Sequence, residues 1–345
     1  MSLRSEILEQ PEVLARLLER QWDAAGAVAR AARARGCPSV FLAARGSSDN
    51  AGLYAKYLWG ARNRLPVALA APSLFTSYAS PPRIDDMLVV GISQSGQSPD
   101  IVGVISEARS QGAVTLAITN DPSSPIADAA EFVIETCAGA ERAVAATKTY
   151  TAELMAVAML SAAMDGAAEL RLELAKVPDL VRDTLDANPD LEALAAKYRS
   201  MNRCVVLGRG FNFATACEWA LKLKELAYVG AESYSSADFQ HGPVAMLSSG
   251  FPVLAVVPRG AVFDGVLALL KSLTSEHGVE LVAISDDDEA LAIAGDPVRL
   301  PPGIPEWLSP MTSVVPAQLF CYHLTRAKGL DTENPRRLNK VTLTR

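Results

Sequence analysis

Short apolar runs alternate with amphipathic stretches along most of the chain. Residues 11–35 have the spacing of an amphipathic helix that Gly36 ends. Five large apolar residues share its predicted buried face: Val13, Leu14, Leu17, Leu18 and Trp22. Beyond this helix, five stretches each open with or consist of a short apolar β-prone run, and several continue with a polar turn and a helical pattern: PSVFLAARGSSDNAGLYAKYLWG, LPVALAA, DMLVVGISQSGQSPDIVGVISEARSQG, AVTLAITNDPSSPIADAA and EFVIETC. The alternation predicts βαβ units around mostly parallel, buried strands, which is an α/β fold with helices flanking the sheet.

The alternating pattern occurs twice in the same order. FLAARGSSDNA at 41–51 matches VVLGRGFNFAT at 205–215, MLVVGISQSG at 87–96 matches VLAVVPRGAV at 253–262, and AVTLAITNDP at 113–122 matches VELVAISDDD at 279–288. The nearly constant spacing of these matches indicates an internal duplication. We therefore expect five segments: an N-terminal helical segment (1–36), a first subdomain (37–165), a helical linker (166–199), a second subdomain (200–330) and a C-terminal tail (331–345).

Composition and charge disfavour several classes of protein. The net charge of −7 and the pI of about 5.2 argue against a nucleic-acid or membrane-surface partner. The charged N-terminus has no apolar core for a signal peptide, and no apolar run is long enough to span a membrane. Five widely spaced cysteines predict a reducing cytoplasm rather than a disulfide framework: Cys37, Cys137, Cys204, Cys217 and Cys321. With three histidines, a multi-histidine metal site is not expected.

Two polar turns of the first half follow predicted strands and open predicted helices. Such carboxyl-end loops bind ligands in parallel α/β proteins. For Gly46-Ser47-Ser48 an ordinary N-cap is the favoured interpretation. The SQSGQS loop at 93–98 is richer in donors, with Ser93, Ser95 and Ser98 as hydroxyls and a helix start near Pro99. We interpret this loop as a site for a phosphate monoester held by hydrogen bonds and the helix dipole. The corresponding Pro258-Arg259-Gly260 of the second half has no hydroxyl, so only the first half is expected to bind phosphate this way.

The second half carries acid, base and lysine groups instead. Glu218, Lys222 and Glu225 share one helical face, opposite Leu221, Leu223 and Leu226. From the spacing alone, a solvated ion-pair stripe is as good an interpretation as a reactive site. His241 precedes Gly-Pro on a tight turn, where an imidazole can reach a ligand. Lys340 lies in the tail, where spacing alone would make it a solvated lysine.

At these residues the sequence resembles the sugar-isomerase (SIS) family in its doubled form. The matching pieces run in order along the chain: ARGSS, ISQSGQSPD, ERAVAATKTYT, EWALKLKELAYVGAESY, QHGP and NPRRLNKVT. Within the family, it is similar to the isomerase half of glucosamine-6-phosphate synthase and to sugar-phosphate deaminases. The resemblance implies two tandem SIS subdomains, each a flavodoxin-like or Rossmann-like three-layer sandwich.

The resemblance also implies roles for individual residues. Lys340 would form a Schiff base with the open-chain ketose, Glu225 would move a proton between C1 and C2, and His241 would open the ring. Lys222 would support this chemistry as a further catalytic group. The phosphate and nearby sugar hydroxyls would be held at Gly46, Ser47, Ser48, Ser93, Gln94, Ser95 and Ser98. The remaining matching positions are sugar-lining or neighbouring groups: Glu141, Val144, Ala146, Glu218 and Asn339. Ala146 stands where the synthase has a serine, and Asn339 where it has an alanine.

Taken together, these matches predict an aminosugar-phosphate deaminase. The sequence shows no glutamine-hydrolysing half, so we expect conversion of glucosamine 6-phosphate to fructose 6-phosphate and ammonia. A fructosamine-6-phosphate deglycase, an ammonia-dependent synthase-type isomerase and a non-catalytic sugar-phosphate sensor are the alternatives. No metal or organic cofactor is implied. The family pattern brings His241 from a partner subunit, so a cytoplasmic homodimer is expected.

Overall fold

The structure is a computed structural model that describes residues 2–341. The last four residues of the predicted tail, 342–345, lie outside the described residues. The described chain forms two compact units, each built around one sheet. The first-sheet unit contains residues 9–141, 148–176 and 339–341; the second-sheet unit contains residues 2–8, 142–147 and 177–338. The chain therefore passes from one unit to the other several times.

The first-sheet unit has five parallel strands within the described residues. Their order is β2-β1-β3-β4-β5. The strands are β1 (Val40–Ala43), β2 (Val67–Leu69), β3 (Leu88–Ile92), β4 (Val114–Thr119) and β5 (Phe132–Glu135). The helices around them are α2 (Gln10–Ala34), α3 (Ser47–Asn63), α4 (Ser73–Thr76), α5 (Pro99–Ser110), α6 (Pro125–Ala129) and α7 (Lys148–Asp165). Strands β1, β3 and β4 are buried along their whole length, as expected for parallel strands covered on both faces.

The second-sheet unit repeats this arrangement. Its described strands are β6 (Arg203–Gly208), β7 (Gly230–Ser235), β8 (Pro252–Val256), β9 (Glu280–Ser285) and β10 (Asp296–Arg299). The order β7-β6-β8-β9-β10 is the order of the first sheet, which confirms the predicted α/β architecture and its duplication. The helices are α1 (Leu3–Leu8), α9 (Leu191–Lys197), α10 (Phe213–Leu226), α11 (Ser236–Phe239), α12 (Phe263–His277), α13 (Asp288–Ala292) and α14 (Ser309–Ala327), and α8 (Ala168–Asp186) runs from the first-sheet unit into this one. Short 3₁₀ turns lie at Gly210–Asn212, Pro243–Met246 and Glu306–Leu308.

Strand register corrects one detail of the sequence-based matching. Leu42 pairs with Val90 in the first sheet, and Val206 pairs with Leu254 in the second. Counting on from these pairs, Ser93 corresponds to Val257 rather than to Pro258. The predicted counterpart Pro258 was one residue out, and the match of 87–96 to 253–262 was two residues out, because the apolar runs of β3 and β8 keep their hydrophobic match in neighbouring alignments. The observation behind the prediction is unchanged, since none of residues 257–262 carries a hydroxyl.

The predicted N-terminal helix is confirmed as α2. Four of its five predicted core residues are buried, and Trp22 is half-buried with the Arg171 guanidinium 4.8 Å from its ring centre. Helix α2 packs on α7, which is buried nearly all round. Among residues 2–341, no helix has both the length and the apolarity needed to cross a bilayer. No disulfide joins the five cysteines, and no cluster in this range has the make-up of a metal site.

Gly96 is the glycine of the first sheet that the fold restricts most. Its φ is +63°, and a Cβ there would lie 2.0 Å from Ser124 Oγ. Gly139 has a similar φ of +66° but open space at its Cβ position.

We expect Gly96→Ala to lower the free energy of unfolding by at least ~2 kcal/mol more than Gly139→Ala. Both substitutions pay the left-handed backbone cost of about 1–2 kcal/mol, but only the first also forces an overlap. Urea denaturation followed by circular dichroism measures the difference. Equal losses in the two variants would contradict the packing seen at Gly96.

Candidate functional site

The loops after β1 and β3 lie where the first sheet reverses its strand order. In sheets of this order, such a switch point is the usual place for a ligand. Residues 44–46 follow β1, and residues 93–98 follow β3 and lead into α5. Both predicted phosphate loops therefore lie at the switch point of the same sheet.

The 93–98 loop leaves several hydrogen-bond donors unused. Ser93 Oγ accepts from Gly96 N at 3.2 Å, and Ser95 Oγ accepts from Gln97 N at 3.3 Å. The backbone N–H groups of Gln94, Ser95 and Ser98 have no acceptor within residues 2–341, and Ser98 Oγ makes no capping bond to α5. A bound oxyanion would satisfy these donors at the positive end of a 12-residue helix.

The Gly46-Ser47-Ser48 turn starts α3, as predicted. Gly46 has a φ of +58°, and the helix begins at Ser47. The Ser48 hydroxyl is buried and donates to Glu153 Oε1 at 2.9 Å. Ser48 would have to give up this bond to donate to a phosphate, so its hydroxyl ties α3 to α7 in this structure.

A charge pair that sequence reasoning missed braces the two loops. Arg45 Nε lies 2.9 Å from Asp100 Oδ2, and the Asp100 carboxylate is buried. Asp100 Oδ1 also accepts from Ile101 N at 3.0 Å, in the first turn of α5. Arg45 thus offsets a negative charge at the helix end where an anion would bind. The available signal was an arginine directly after one strand and an aspartate opening the helix after the next.

Lys340 is paired rather than solvated. Its Nζ lies 2.6 Å from Glu141 Oε2, and the Glu141 side chain is fully buried. Glu141 also accepts from the backbone N of Thr149 at 3.1 Å and from its hydroxyl at 2.7 Å. One carboxylate therefore fastens the C-terminal tail to the first turn of α7. Asn339, next to this lysine, is exposed.

Residues 142–147, which include Val144 and Ala146, are held at both ends by buried polar side chains. Glu6, fully buried, accepts from Arg142 N at 2.5 Å and from Ala143 N at 3.2 Å. At the other end, Gln318 Nε2 donates to Thr147 O at 3.4 Å. Val144 and Ala146 are half-exposed between buried neighbours, so one side of the segment is open to a ligand. Sequence reasoning missed Glu6 because its partners are distant in the sequence.

Helix α10 places Lys222 between two carboxylates. Lys222 Nζ lies 3.4 Å from Glu218 Oε1 and 2.5 Å from Glu225 Oε2. The side chains of Glu218 and Lys222 are 0% and 2% exposed, whereas that of Glu225 is 24% exposed. The solvated-stripe interpretation is therefore wrong. Glu218 and Lys222 are buried in this helix, against which α14 and strands β6 and β7 pack, whereas Leu221 is half-buried.

The two carboxylates keep Lys222 charged. Burial alone would lower the pKa of Lys222, but Glu218 and Glu225 outweigh it and the pKa is raised. Lys222 is therefore suited to hold charge beside Glu225 and unsuited to act as a free amine. Glu225 is the one member of the trio that a ligand in solution can reach.

His241 lies on the predicted turn between α11 and the Pro243–Met246 3₁₀ turn. Its backbone N donates to Asp238 O at 3.0 Å. Its side chain is exposed and has no hydrogen-bond partner among the residues that the structure describes. Gly242 has a φ of +129°, so the turn requires a glycine there.

The predicted site residues divide between the units. The first-sheet unit contains Gly46, Ser47, Ser48, Ser93, Gln94, Ser95, Ser98, Glu141, Asn339 and Lys340. The second-sheet unit contains Val144, Ala146, Glu218, Lys222, Glu225 and His241. The structure brings together Lys340 with Glu141, and Lys222 with Glu218 and Glu225.

Comparison with known proteins finds relatives over most of the chain. A family model described as the SIS domain matches residues 35–163 and again 197–327. The glutamine–fructose-6-phosphate aminotransferase (isomerizing) of Aquifex aeolicus is 36% identical over 304 residues, which are 88% of this chain and 51% of that protein. The chain spans about half the length of the curated relatives it matches, 51–58%.

Solved structures share the fold over nearly the whole chain. A Silicibacter pomeroyi protein provisionally named a phosphosugar isomerase has a TM-score of 0.86 and 31% identity, covering 96% of this chain and 100% of that one. Glucosamine-6-phosphate deaminase from Thermotoga maritima has a TM-score of 0.79 with full coverage of both chains. Its identity is 19%, so this second likeness shows the fold alone.

Because Lys222 is the only cation of the trio on α10, removing its charge should strongly reduce the stability of the protein. Lys222→Met leaves two carboxylates without their positive partner, and we expect a loss of about 3–5 kcal/mol in the free energy of unfolding at pH 7. The loss should shrink towards pH 5, because protonation removes the uncompensated charge. Urea denaturation at both pH values measures it.

The matched control is Lys224→Met, an exposed lysine on the same helix, which should change stability by less than ~0.5 kcal/mol. In the wild type, the raised pKa of Lys222 means that its stabilising effect is complete below about pH 10 and is lost only as the pH rises further. Equal losses in Lys222→Met and Lys224→Met would contradict the buried trio.

Proposed function

This chain belongs to the SIS domain family, as its sequence predicts, and on that premise we propose that it is a sugar-phosphate isomerase that deaminates an aminosugar 6-phosphate. Glucosamine 6-phosphate plus water would give fructose 6-phosphate plus ammonia. The observation that carries this proposal is the trio on α10, in which the one solvent-accessible member is a carboxylate beside a lysine whose pKa is raised by its two carboxylate neighbours.

The phosphate binds the 93–98 loop in this proposal. Support comes from the unused N–H groups of Gln94, Ser95 and Ser98 and from the start of α5. These donors suit the oxygens of a phosphate monoester, and Arg45 balances the buried charge of Asp100 beside them. In this proposal the loop binds the phosphate without a lysine.

Glu225 then moves the proton that isomerises the sugar. His241, exposed on its turn, protonates and releases the ring oxygen, which opens the sugar to the aldehyde. Glu225 takes the proton from C2 and returns it to C1, while the C2 nitrogen loses a proton and the C1 oxygen gains one, so that the aldehyde becomes an alcohol and the C2 amine becomes an imine. Lys222 holds positive charge next to Glu225 throughout. This role fits a lysine whose pKa is raised by its neighbours.

Lys340 releases the nitrogen. Its amine attacks the C2 imine and ammonia leaves, so that C2 is bound to Nζ; water then hydrolyses this bond and frees the ketose. Before attack, the Lys340 ammonium must lose a proton, and the carboxylate that contacts it is Glu141. A homodimer in which His241 serves the partner's site completes the proposal, in keeping with its exposed imidazole.

Synthesis of the aminosugar is the second candidate. It is favoured by the 36% identity to an aminotransferase of Aquifex aeolicus. The same groups would run the reaction in reverse, with ammonia adding to the ketose. Fructosamine-6-phosphate deglycation would use the same lysine and carboxylate on a larger amine.

The direct test is incubation of the purified protein with glucosamine 6-phosphate, with ammonia and fructose 6-phosphate measured by coupled assays. We expect both products in equal amounts. Fructose 6-phosphate with ammonium chloride, and fructosamine 6-phosphate, are run in parallel. Turnover of either of these with glucosamine 6-phosphate inert would replace the deaminase proposal by the corresponding candidate, and inertness towards all three would contradict an isomerase.

The role of Lys340 has its own test. Borohydride added during turnover should trap the sugar covalently on Lys340, as found by mass spectrometry of the peptides. Lys340→Arg keeps a cation for Glu141 but cannot form an imine, so it should fold and bind sugar phosphate while losing turnover and the adduct. An adduct on another lysine, or undiminished turnover in Lys340→Arg, would remove this residue from the mechanism.

A further inference from the structure

The loop after β8 is the structural counterpart of the 93–98 loop. Val257 N donates to Ile284 O at 2.9 Å, just as Ser93 N donates to Ile118 O at 3.0 Å. The helices that follow begin at equivalent positions, α5 at Pro99 and α12 at Phe263. Residues 257–262 therefore form the ligand loop of the second sheet's own switch point.

Two carboxylates of the chain already bind this second loop. Arg259 N donates to Asp286 Oδ1 at 2.8 Å, and Ala261 N donates to Glu306 Oε2 at 2.9 Å. A Cβ on Gly260 would lie 2.1 Å from Glu306 Cδ, so this carboxylate rests directly on the loop backbone. The counterpart of Arg259 N is Ser95 N, which has no acceptor within residues 2–341, and the counterpart of Ala261 N is Gln97 N, which donates to Ser95 Oγ within its own loop.

The acidic residue after β9 is also specific to the second sheet. Asp286 corresponds to Asn120 of the first sheet, since Ile284 and Ile118 are equivalent. The Asn120 side chain points to its own neighbours: its Oδ1 accepts from Thr136 Oγ1 and Ala138 N, each at 2.9 Å. The second half thus has a carboxylate on its loop where the first half has a neutral amide directed elsewhere.

The two carboxylates match what a phosphate would offer this loop. Together they carry two negative charges, close to the charge of a phosphate monoester at neutral pH, and they accept hydrogen bonds from the same kind of backbone N–H. The Arg259 guanidinium, paired with Asp287, supplies positive charge next to them.

We propose that Asp286 and Glu306 occupy the anion position of the second sheet from within the chain, and that their removal exposes a second position for a phosphate group. Wild-type protein then binds one phosphate per chain, at the 93–98 loop. This inference rests on the proposed function in one respect only, which is that the phosphate of the substrate binds the 93–98 loop.

Equilibrium dialysis with radiolabelled inorganic phosphate tests the proposal. The wild type should bind one phosphate per chain and Asp286→Ala/Glu306→Ala two, the second at least tenfold more weakly because its loop has no hydroxyl donors. The matched control is Asp288→Ala/Glu289→Ala, which makes the same change in net charge. Those carboxylates pair with Arg299 and Lys271, and this control should still bind one phosphate.

Two phosphates on the wild type, no gain in the double variant, or an equal gain in the control would each overturn the proposal. Should the double variant fail to unfold cooperatively, Glu306→Ala alone frees Ala261 N and the face of Gly260, and it must then show the second, weaker phosphate. A wild type that binds none while the double variant binds one would refute the first-loop assignment and leave this inference standing.

Discussion

Backbone N–H groups at the carboxyl edge of a parallel sheet must find an acceptor, and this requirement organises both halves of the chain. In the first sheet the 93–98 loop leaves N–H groups at Gln94, Ser95 and Ser98 for something outside the described chain. In the second sheet Asp286 accepts from Arg259 N and Glu306 accepts from Ala261 N, so these two N–H groups have acceptors within the chain. The two sheets thus have equivalent loops at their carboxyl edges, but the backbone N–H groups of these loops differ in where their acceptors come from.

Buried charge also lies at the other positions to which we assign a role. Lys222 is enclosed with Glu218 on α10, and Glu141 is buried beneath Lys340. Burying such groups costs desolvation that apolar side chains would avoid, so their presence is weak evidence for stability and better evidence for chemistry. In both clusters one member remains partly exposed, Glu225 in the first and Lys340 in the second. These exposed members are the groups to which we assign reactions.

Sequence alone predicted the local elements and the duplication, but it could not predict the long-range contacts. Helix α2 and the alternation of strands and helices follow from periodicity, which is a local property, and the duplication follows from the repeated pattern; the strand order comes only from the structure. Spacing could not show that Lys222 is buried, because exposed and buried ion pairs on a helix have the same sequence separation. Glu6 accepts hydrogen bonds from Arg142 N and Ala143 N, and Glu141 pairs with Lys340. These partners are far apart in the sequence, so a periodic pattern cannot reveal the contacts. The roles of His241 and Lys340 came from family resemblance, because their spacing indicates nothing unusual.

We propose, then, that the first sheet presents an open anion position and the second sheet a filled one. A crystal structure of the protein with glucosamine 6-phosphate tests it most directly. We expect phosphate density on Ser95 N and Ser98 N, with the sugar continuing to Lys340 Nζ and with Glu306 still on Ala261 N. Phosphate density at residues 257–262, or a sugar remote from Lys340, would contradict it.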